Sequence, residues 1–185
     1  SWRRHIVESP PEHPRYEGAS YKMVNPPVVK RAGPQAGTWG LVPLKSSPRA
    51  KSRLSEVLGP REREQLFFTL AERVIRALGD SAHIDAVAVV TSSRKVAAFA
   101  RSLGAMPILQ TTDLGMSPAL ELGLHSLQSA CPARVLMLPG DLPSISAAAV
   151  DKLLSAADAN QNIVVVPDRH RKGTNALVCT PPRVI

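Results

Sequence analysis

Two groups of side chains in this sequence have the types and spacing to handle a polyphosphate. The first is cationic: Lys45, Arg49, Lys51 and Arg53 fall within nine residues, with no acid among them. Arginine can offer a phosphate two parallel donors, whereas lysine acts as a point charge. Such a cluster would hold phosphate by side-chain charge, because the glycines of a Walker A loop or of G-x-G-x-x-G are missing. A solvated basic turn would have the same composition. The second group is Leu138-Pro139-Gly140-Asp141-Leu142-Pro143, an acid braced by two prolines and a glycine after an apolar run. Magnesium takes hard oxygen ligands and is usually held by one or two carboxylates plus substrate phosphates. Asp141 is therefore a candidate ligand for magnesium carrying a nucleoside triphosphate. An ordinary turn ahead of a helix starting near Ser146 is the competing reading.

Three further segments carry polar groups at the ends of apolar runs. Thr91, Ser92 and Ser93 could meet a base or ribose, or cap the next helix. Ser117 is placed as an N-cap for the helix carrying Leu120 and Leu124, and the amides there could meet a nucleotide. Pro167-Asp168-Arg169-His170-Arg171-Lys172-Gly173-Thr174-Asn175 joins a basic loop to a Gly-Thr-Asn step, where Thr174 and Asn175 could bind a second, anionic substrate. His170 is not assigned as a base, since a phosphate nucleophile is already ionised at pH 7.

The elements that must position these groups alternate regularly. Trp39–Leu44 reads as a first strand, and residues 61–78 carry a helical stripe of Phe67, Leu70, Ala71, Val74, Ile75 and Leu78, closed by Gly79. Ile84–Thr91 is a strand-length apolar run. Val96, Phe99, Ala100 and Leu103 form the next helical face, stopped by Gly104. Strands follow at Ala105–Leu109, Ala133–Leu138, Ile163–Val166 and Thr174–Cys179. Helices are marked by Leu120, Gly123, Leu124 and Leu127, and by Val150, Leu153, Leu154 and Ala157. Strands apolar throughout are typical of buried parallel strands. The expectation is an α/β fold, a three-layer αβα sandwich around a mostly parallel sheet. Ligands in such sheets bind beyond the carboxyl ends of the strands, where the groups above fall.

With 185 residues the chain suits one core, and its 44% hydrophobic content can fill it, though aromatics supply only 4%. The net charge of +8 points to a polyanionic partner without choosing among nucleotide phosphates, nucleic acid and anionic membranes. Residues 1–38 are expected to be a basic, Pro-rich, disordered extension in which six Lys or Arg outnumber three Glu. Aromatic and basic residues do not interleave there, which counts against a nucleic-acid partner. No apolar run approaches the roughly 18 residues a membrane span needs. Cys131 and Cys179 are read as reduced core thiols, giving a cytoplasmic setting.

Three segments taken together resemble the 2-phospho-L-lactate guanylyltransferase family, whose bacterial members can use phosphoenolpyruvate and some relatives 3-phosphoglycerate. They are Val42-Pro43-Leu44-Lys45 with Ala50-Lys51-Ser52-Arg53-Leu54, then Leu138–Pro143, then Pro167-Asp168-Arg169-His170 with Gly173-Thr174-Asn175-Ala176-Leu177. The likeness spans about residues 39–182, and the last segment is its most specific part. It implies a fold like that of the nucleotide-diphospho-sugar transferases and molybdopterin guanylyltransferases. It also implies GTP, magnesium, and a phosphorylated three-carbon acid as acceptor in coenzyme F-420 biosynthesis. On that resemblance Leu41, Pro43, Lys45, Lys51, Arg53, Ser92 and Ser117 surround the nucleotide. Lys51, Arg53 and Asp141 are catalytic, Asp141 binds the metal, and Thr174 and Asn175 meet the acid. A homodimer is left open. Family members go on to a Gly-Pro-Gly-Ser-Phe-like loop and an Asp-x-Asp-Thr-Pro-like segment, and the sequence stops at Ile185 before either. The expectation is thus a domain lacking its C-terminal segment. Two rivals stand beside this reading: a molybdopterin-type nucleotidyltransferase, and a nucleotide-binding domain without turnover.

Overall fold

The computed structural model describes residues 37–45, 57–111, 115–157 and 163–182. Arg49, Lys51, Arg53 and the extension up to residue 36 lie outside the described residues. In chain order the elements are β1 (Thr38–Pro43), α1 (Pro60–Asp80), β2 (Ala86–Thr91), α2 (Arg94–Ser102) and β3 (Met106–Leu109). There follow α3 (Met116–Leu127), β4 (Arg134–Met137), α4 (Ala147–Ala156), β5 (Ile163–Pro167) and β6 (Thr174–Cys179). Thr38, assigned from sequence to the extension, opens the first strand. Its N–H donates to Asp85 Oδ2 at 2.8 Å and its carbonyl accepts from Asp85 N at 2.9 Å.

The six strands form one sheet in the order β3-β2-β1-β4-β6-β5. Neighbours from β3 to β4 are parallel, while β6 runs antiparallel to both β4 and β5. The mostly parallel sheet expected from sequence is what the chain forms, since five of the six strands run the same way and β6 alone is reversed. The reason is loop length: only residues 168–173 join β5 to β6. A parallel crossover needs about a dozen residues or more, so this pair must close as a hairpin.

The central strands bury both faces. Val42 and Leu44, Val87 and Val89, Leu136 and Leu138, Ala176 and Val178 join Ala71, Val74, Ile75 and Leu78 of α1, Val96 and Ala100 of α2, and Val150 and Leu154 of α4. Their alternates, Trp39 and Leu41, Ala88 and Val90, Val135 and Met137, join Ala119, Leu124 and Leu127 of α3. Helices thus cover both faces, giving the three-layer arrangement. Gly123 of α3 is what allows the close approach on the second face. A Cβ built there would lie 2.8 Å from Leu41 Cδ1 and 2.9 Å from Val90 Cγ2.

Local chemistry sets the helix ends. Pro60 takes the first position of α1, and Glu62 turns back to accept from Gly59 N at 2.7 Å. Gly79 does not end α1 as expected, because the helix continues to Asp80 and is capped by Ser81. Ser81 is buried, and its hydroxyl donates to Asp151 Oδ1 of α4 at 2.5 Å. That clasp fixes where the chain leaves the helix. Gly104, with φ of 80°, does stop α2 as the sequence indicated. One thiol expectation fails: Cys179 is buried, but Cys131 is exposed at the end of a 3-10 turn (Gln128–Ala130) and donates to Gln128 O. Among the described residues no helix is long and apolar enough to cross a membrane.

Candidate functional site

The carboxyl ends of β1 to β5 lie along one edge of the sheet. Because β6 is antiparallel, its first residues lie there too. Hence Lys45, Ser92 and Asp141, from three separate loops, and Thr174 and Asn175, from the start of β6, share one edge.

The loop after β4 is the best defined part of this edge. Gly140 lies so close to the β1 end that a Cβ there would run into Leu44 Cδ2. Any larger residue would require the Leu44 side chain to shift. Lys45 directly follows Leu44, and Asp141 directly follows Gly140, so the packed pair carries a cation and a carboxylate on neighbouring strand ends. Both side chains are exposed. Beyond Asp141, Leu142 and Ile145 pack on the core, and Arg73 of α1 donates through Nη1 to the Pro143 carbonyl. Asp141 does not cap α4. That task falls to Ser146, whose Oγ accepts from Ala149 N at 3.3 Å. Gly140 and Asp141 do form a turn ahead of that helix, as the competing reading has it.

The hydroxyls after β2 divide their tasks. Thr91 is fully buried and its Oγ1 accepts from Ser93 N at 3.1 Å. Ser93 caps α2 by accepting from Val96 N. Ser92 is half-buried, and its hydroxyl has no hydrogen-bond partner among the described residues. Ser117 is not the N-cap expected from sequence. Gly115, at φ of 104°, takes that position with no side-chain cap, and Ser117 lies exposed within the first turn. Only glycine adopts that backbone readily, which is why the cap shifts two residues upstream. The first N–H groups of α3 have no intrahelical acceptor, as at any helix start.

Leu41 stands apart from the other nucleotide-site candidates. Its side chain has no exposed surface and packs in the core, and its carbonyl accepts from Leu138 N at 3.1 Å. Its contribution is to set the β1–β4 pairing, not to present a side chain to a ligand. Pro43 is half-buried at the end of β1. Lys51 and Arg53 lie outside the described residues, so their placement relative to Asp141 is not described.

Thr174 is exposed and Asn175 half-buried at the start of β6, where Thr174 pairs with Pro167 across a register shift. The loop before them is organised by Asp168, which sequence reasoning left without a role. Its Oδ1 accepts from His170 N and Lys172 N, both at 2.9 Å, and its own N–H donates to Gly173 O at 2.8 Å. Arg171 takes a left-handed φ of 56° within this turn. Arg169, His170, Arg171 and Lys172 are left exposed beside Thr174. An Asp five residues before a Gly, across a basic run, was the available signal.

Asp141 offers hard oxygen ligands from a fixed loop, the donor chemistry that a magnesium–nucleotide site uses. Among the described residues no three His, Cys, Asp or Glu side chains cluster.

Residues 38–185 match the family model described as guanylyl transferase CofC like. Similar proteins include a phosphoenolpyruvate guanylyltransferase of Sphaerobacter thermophilus, 35% identical over 80% of this chain and 70% of the relative. A phosphoenolpyruvate guanylyltransferase of Rubrobacter xylanophilus is 39% identical over 78% of this chain and 69% of its own length. The 2-phospho-L-lactate guanylyltransferase of Methanothermobacter thermautotrophicus is 32% identical over 78% of this chain and 62% of the relative. The chain thus spans about two thirds of the length of these relatives. Among solved structures, a putative nucleotide-diphospho-sugar transferase from Desulfovibrio desulfuricans superposes with a TM-score of 0.64 at 17% identity, over 79% of this chain and 64% of that one. A nucleotidyl transferase from the same Methanothermobacter species gives 0.57 at 16% identity, over 78% and 72%. The structural likeness establishes the nucleotide-diphospho-sugar transferase fold; the sequence match goes further, and this chain belongs to the CofC-like guanylyl transferase family.

Proposed function

We propose that this domain transfers GMP from GTP to a phosphorylated three-carbon acid and releases pyrophosphate, in the pathway to coenzyme F-420. Family membership supports the guanylyl transfer, and the names of the relatives point to phosphoenolpyruvate or 2-phospho-L-lactate as acceptor. The observation that carries the reading is the Leu44–Gly140 contact, which sets a cation and a carboxylate on adjoining loops at the ligand-binding edge of the sheet.

In this reaction a phosphate oxygen of the acid attacks the α-phosphorus of GTP. The bond from that phosphorus to the bridging oxygen breaks, and pyrophosphate leaves with the electron pair. No protein nucleophile is needed; alignment and charge stabilisation do the work. Lys45, with Lys51 and Arg53 as the resemblance assigns them, holds the triphosphate. Asp141 holds magnesium, which when bound neutralises charge on the phosphates. Ser92 and the start of α3, including Ser117, face the nucleoside. Thr174 and Asn175 orient the acid, and the exposed cations at 169–172 raise the local concentration of that anion. The free thiols and a GTP substrate fit a cytoplasmic setting.

The test is product analysis by mass spectrometry after incubation with GTP, magnesium and each of phosphoenolpyruvate, 2-phospho-L-lactate and 3-phosphoglycerate. A guanosine diphospho-acid adduct with matching pyrophosphate is expected from one of them. Asp141→Ala should lower turnover by roughly 10²–10³, the usual cost of removing a group that stabilises charge in the transition state. Failure to form any adduct, or full activity in Asp141→Ala, overturns the assignment.

A further inference from the structure

Asp141 sits in a loop whose neighbours on both sides are pinned. On its amino side, Gly140 is pressed against Leu44 of the β1 end. On its carboxyl side, Leu142 and Ile145 pack on the α1–α4 face of the core. Prolines 139 and 143 restrict φ at both limits of the turn. A polar tether also reaches this turn from a distant element. Arg73, in the middle of α1 and seventy residues away in sequence, donates through Nη1 to the Pro143 carbonyl.

That carbonyl is two residues from Asp141. A proline carbonyl in a turn has no ladder partner of its own, and the guanidinium gives it a charge-assisted donor. Arg73 is exposed, so the bond adds little to the core. What it does fix is where the loop stands relative to α1, the helix that follows the β1 loop. A metal-binding carboxylate gains affinity when residues behind it hold it in place before the ion arrives.

We propose that Arg73 is a positioning residue for Asp141: by holding the Pro143 carbonyl it sets the carboxylate for the magnesium–nucleotide complex. The proposal rests on the metal role given to Asp141 above. Arg73 touches neither nucleotide nor acid, and its effect runs through the loop backbone. Lysine keeps a donor but loses the planar fork, so Arg73→Lys should retain part of the function and Arg73→Met little of it.

Two measurements on the full chain test this. Hydrogen exchange reads the tether directly: in Arg73→Met the amides of Gly140, Asp141 and Leu142 should exchange several-fold faster, with the central strands unchanged. Titration with manganese and GTP, followed by the manganese electron paramagnetic resonance signal, reads the consequence. Arg73→Met is expected to weaken manganese binding by about tenfold, a 1.4 kcal/mol change, with Arg73→Lys between it and wild type. Asp141→Asn should abolish this binding, and the double variant should be no weaker than Asp141→Asn alone. Unaltered exchange at 140–142 overturns the tether, as does wild-type manganese affinity in Arg73→Met. If wild type and Asp141→Asn bind manganese equally, the metal role of Asp141 falls, and the proposal with it, even where exchange shows the tether intact.

Discussion

Leu136 of β4 and Val165 of β5 are both apolar residues in strands of the same sheet, yet Leu136 has no exposed surface and Val165 is 51% exposed. The difference runs through the two halves of the sheet. From β3 to β4 the strands are parallel and covered on both faces, and their loops deliver Lys45, Ser92 and Asp141 to one edge. The β5–β6 hairpin packs Val164, Val166, Ala176 and Val178 on the helical face and leaves Ile163 and Val165 outside. Its task is geometric: by reversing direction it returns Thr174 and Asn175 to the edge that the parallel strands already share. The doubly covered half thus carries Lys45, Ser92 and Asp141, and the hairpin brings Thr174 and Asn175 to the same edge.

Substitutions in the two halves should separate them by size of effect. Leu136→Ala removes a fully buried side chain from a close-packed layer, and urea unfolding should show a loss of about 2–5 kcal/mol. Val165→Thr, on the open face of the hairpin, should stay within about 0.5 kcal/mol of wild type. Equal losses would mean that the exposed face of β5 is packed in the protein as it works. A smaller effect is expected from Asp168→Ala, which removes the acceptor for His170 N and Lys172 N and loosens the turn before Thr174. Steady-state kinetics should show the KM for the phosphorylated acid rising about tenfold, the equivalent of ~1.4 kcal/mol, with the KM for GTP unchanged. A rise in the GTP term instead would move the hairpin loop to the nucleotide side of the site.

Much of this division was legible before any coordinates. Continuous apolar runs such as Ala86–Thr91 read as strands because both faces are buried, and glycine at 104 marked the end of α2 because only a left-handed residue fits there. The turn at Gly140–Asp141 is legible too, since two prolines and a glycine around an acid after a buried run favour a turn. The reversal of β6 was not read, although the shortness of the 168–173 loop held the answer, because apolar content reports burial and not direction. The cap of α3 was misplaced because serine is a common cap, whereas the left-handed turn at Gly115 is set by the backbone. Leu41, which the resemblance sets beside the nucleotide, has its side chain sent into the core by strand alternation. Arg73 and Asp151 could not be found at all, since each acts on a partner seventy residues away.

Asp151 gives the smallest and most specific expectation, because it lies at the end of α1 that leads into β2, away from the edge that carries the site. Its carboxyl is held below the ordinary value of 3.8, first by the Ser81 hydroxyl, which outweighs the opposing cost of burial, and further by backbone donors at His83 and Ala82 and the nearby His83 ring. A folded-state value below the unfolded one means that the unfolded chain binds the proton more readily. The stabilisation is therefore complete above about pH 4 and is lost as pH falls below 3.8 towards the folded value. Thermal melts of wild type and Asp151→Asn should differ above pH 4 and draw together as the pH is lowered from 3.8, with Ser81→Ala reducing the same difference. Turnover at pH 7 should be equal in all three proteins, since the clasp fastens α1 to α4 at the far end of the sheet. A constant gap between the melts down to the lowest pH would assign the Ser81–Asp151 contact to packing rather than to charge.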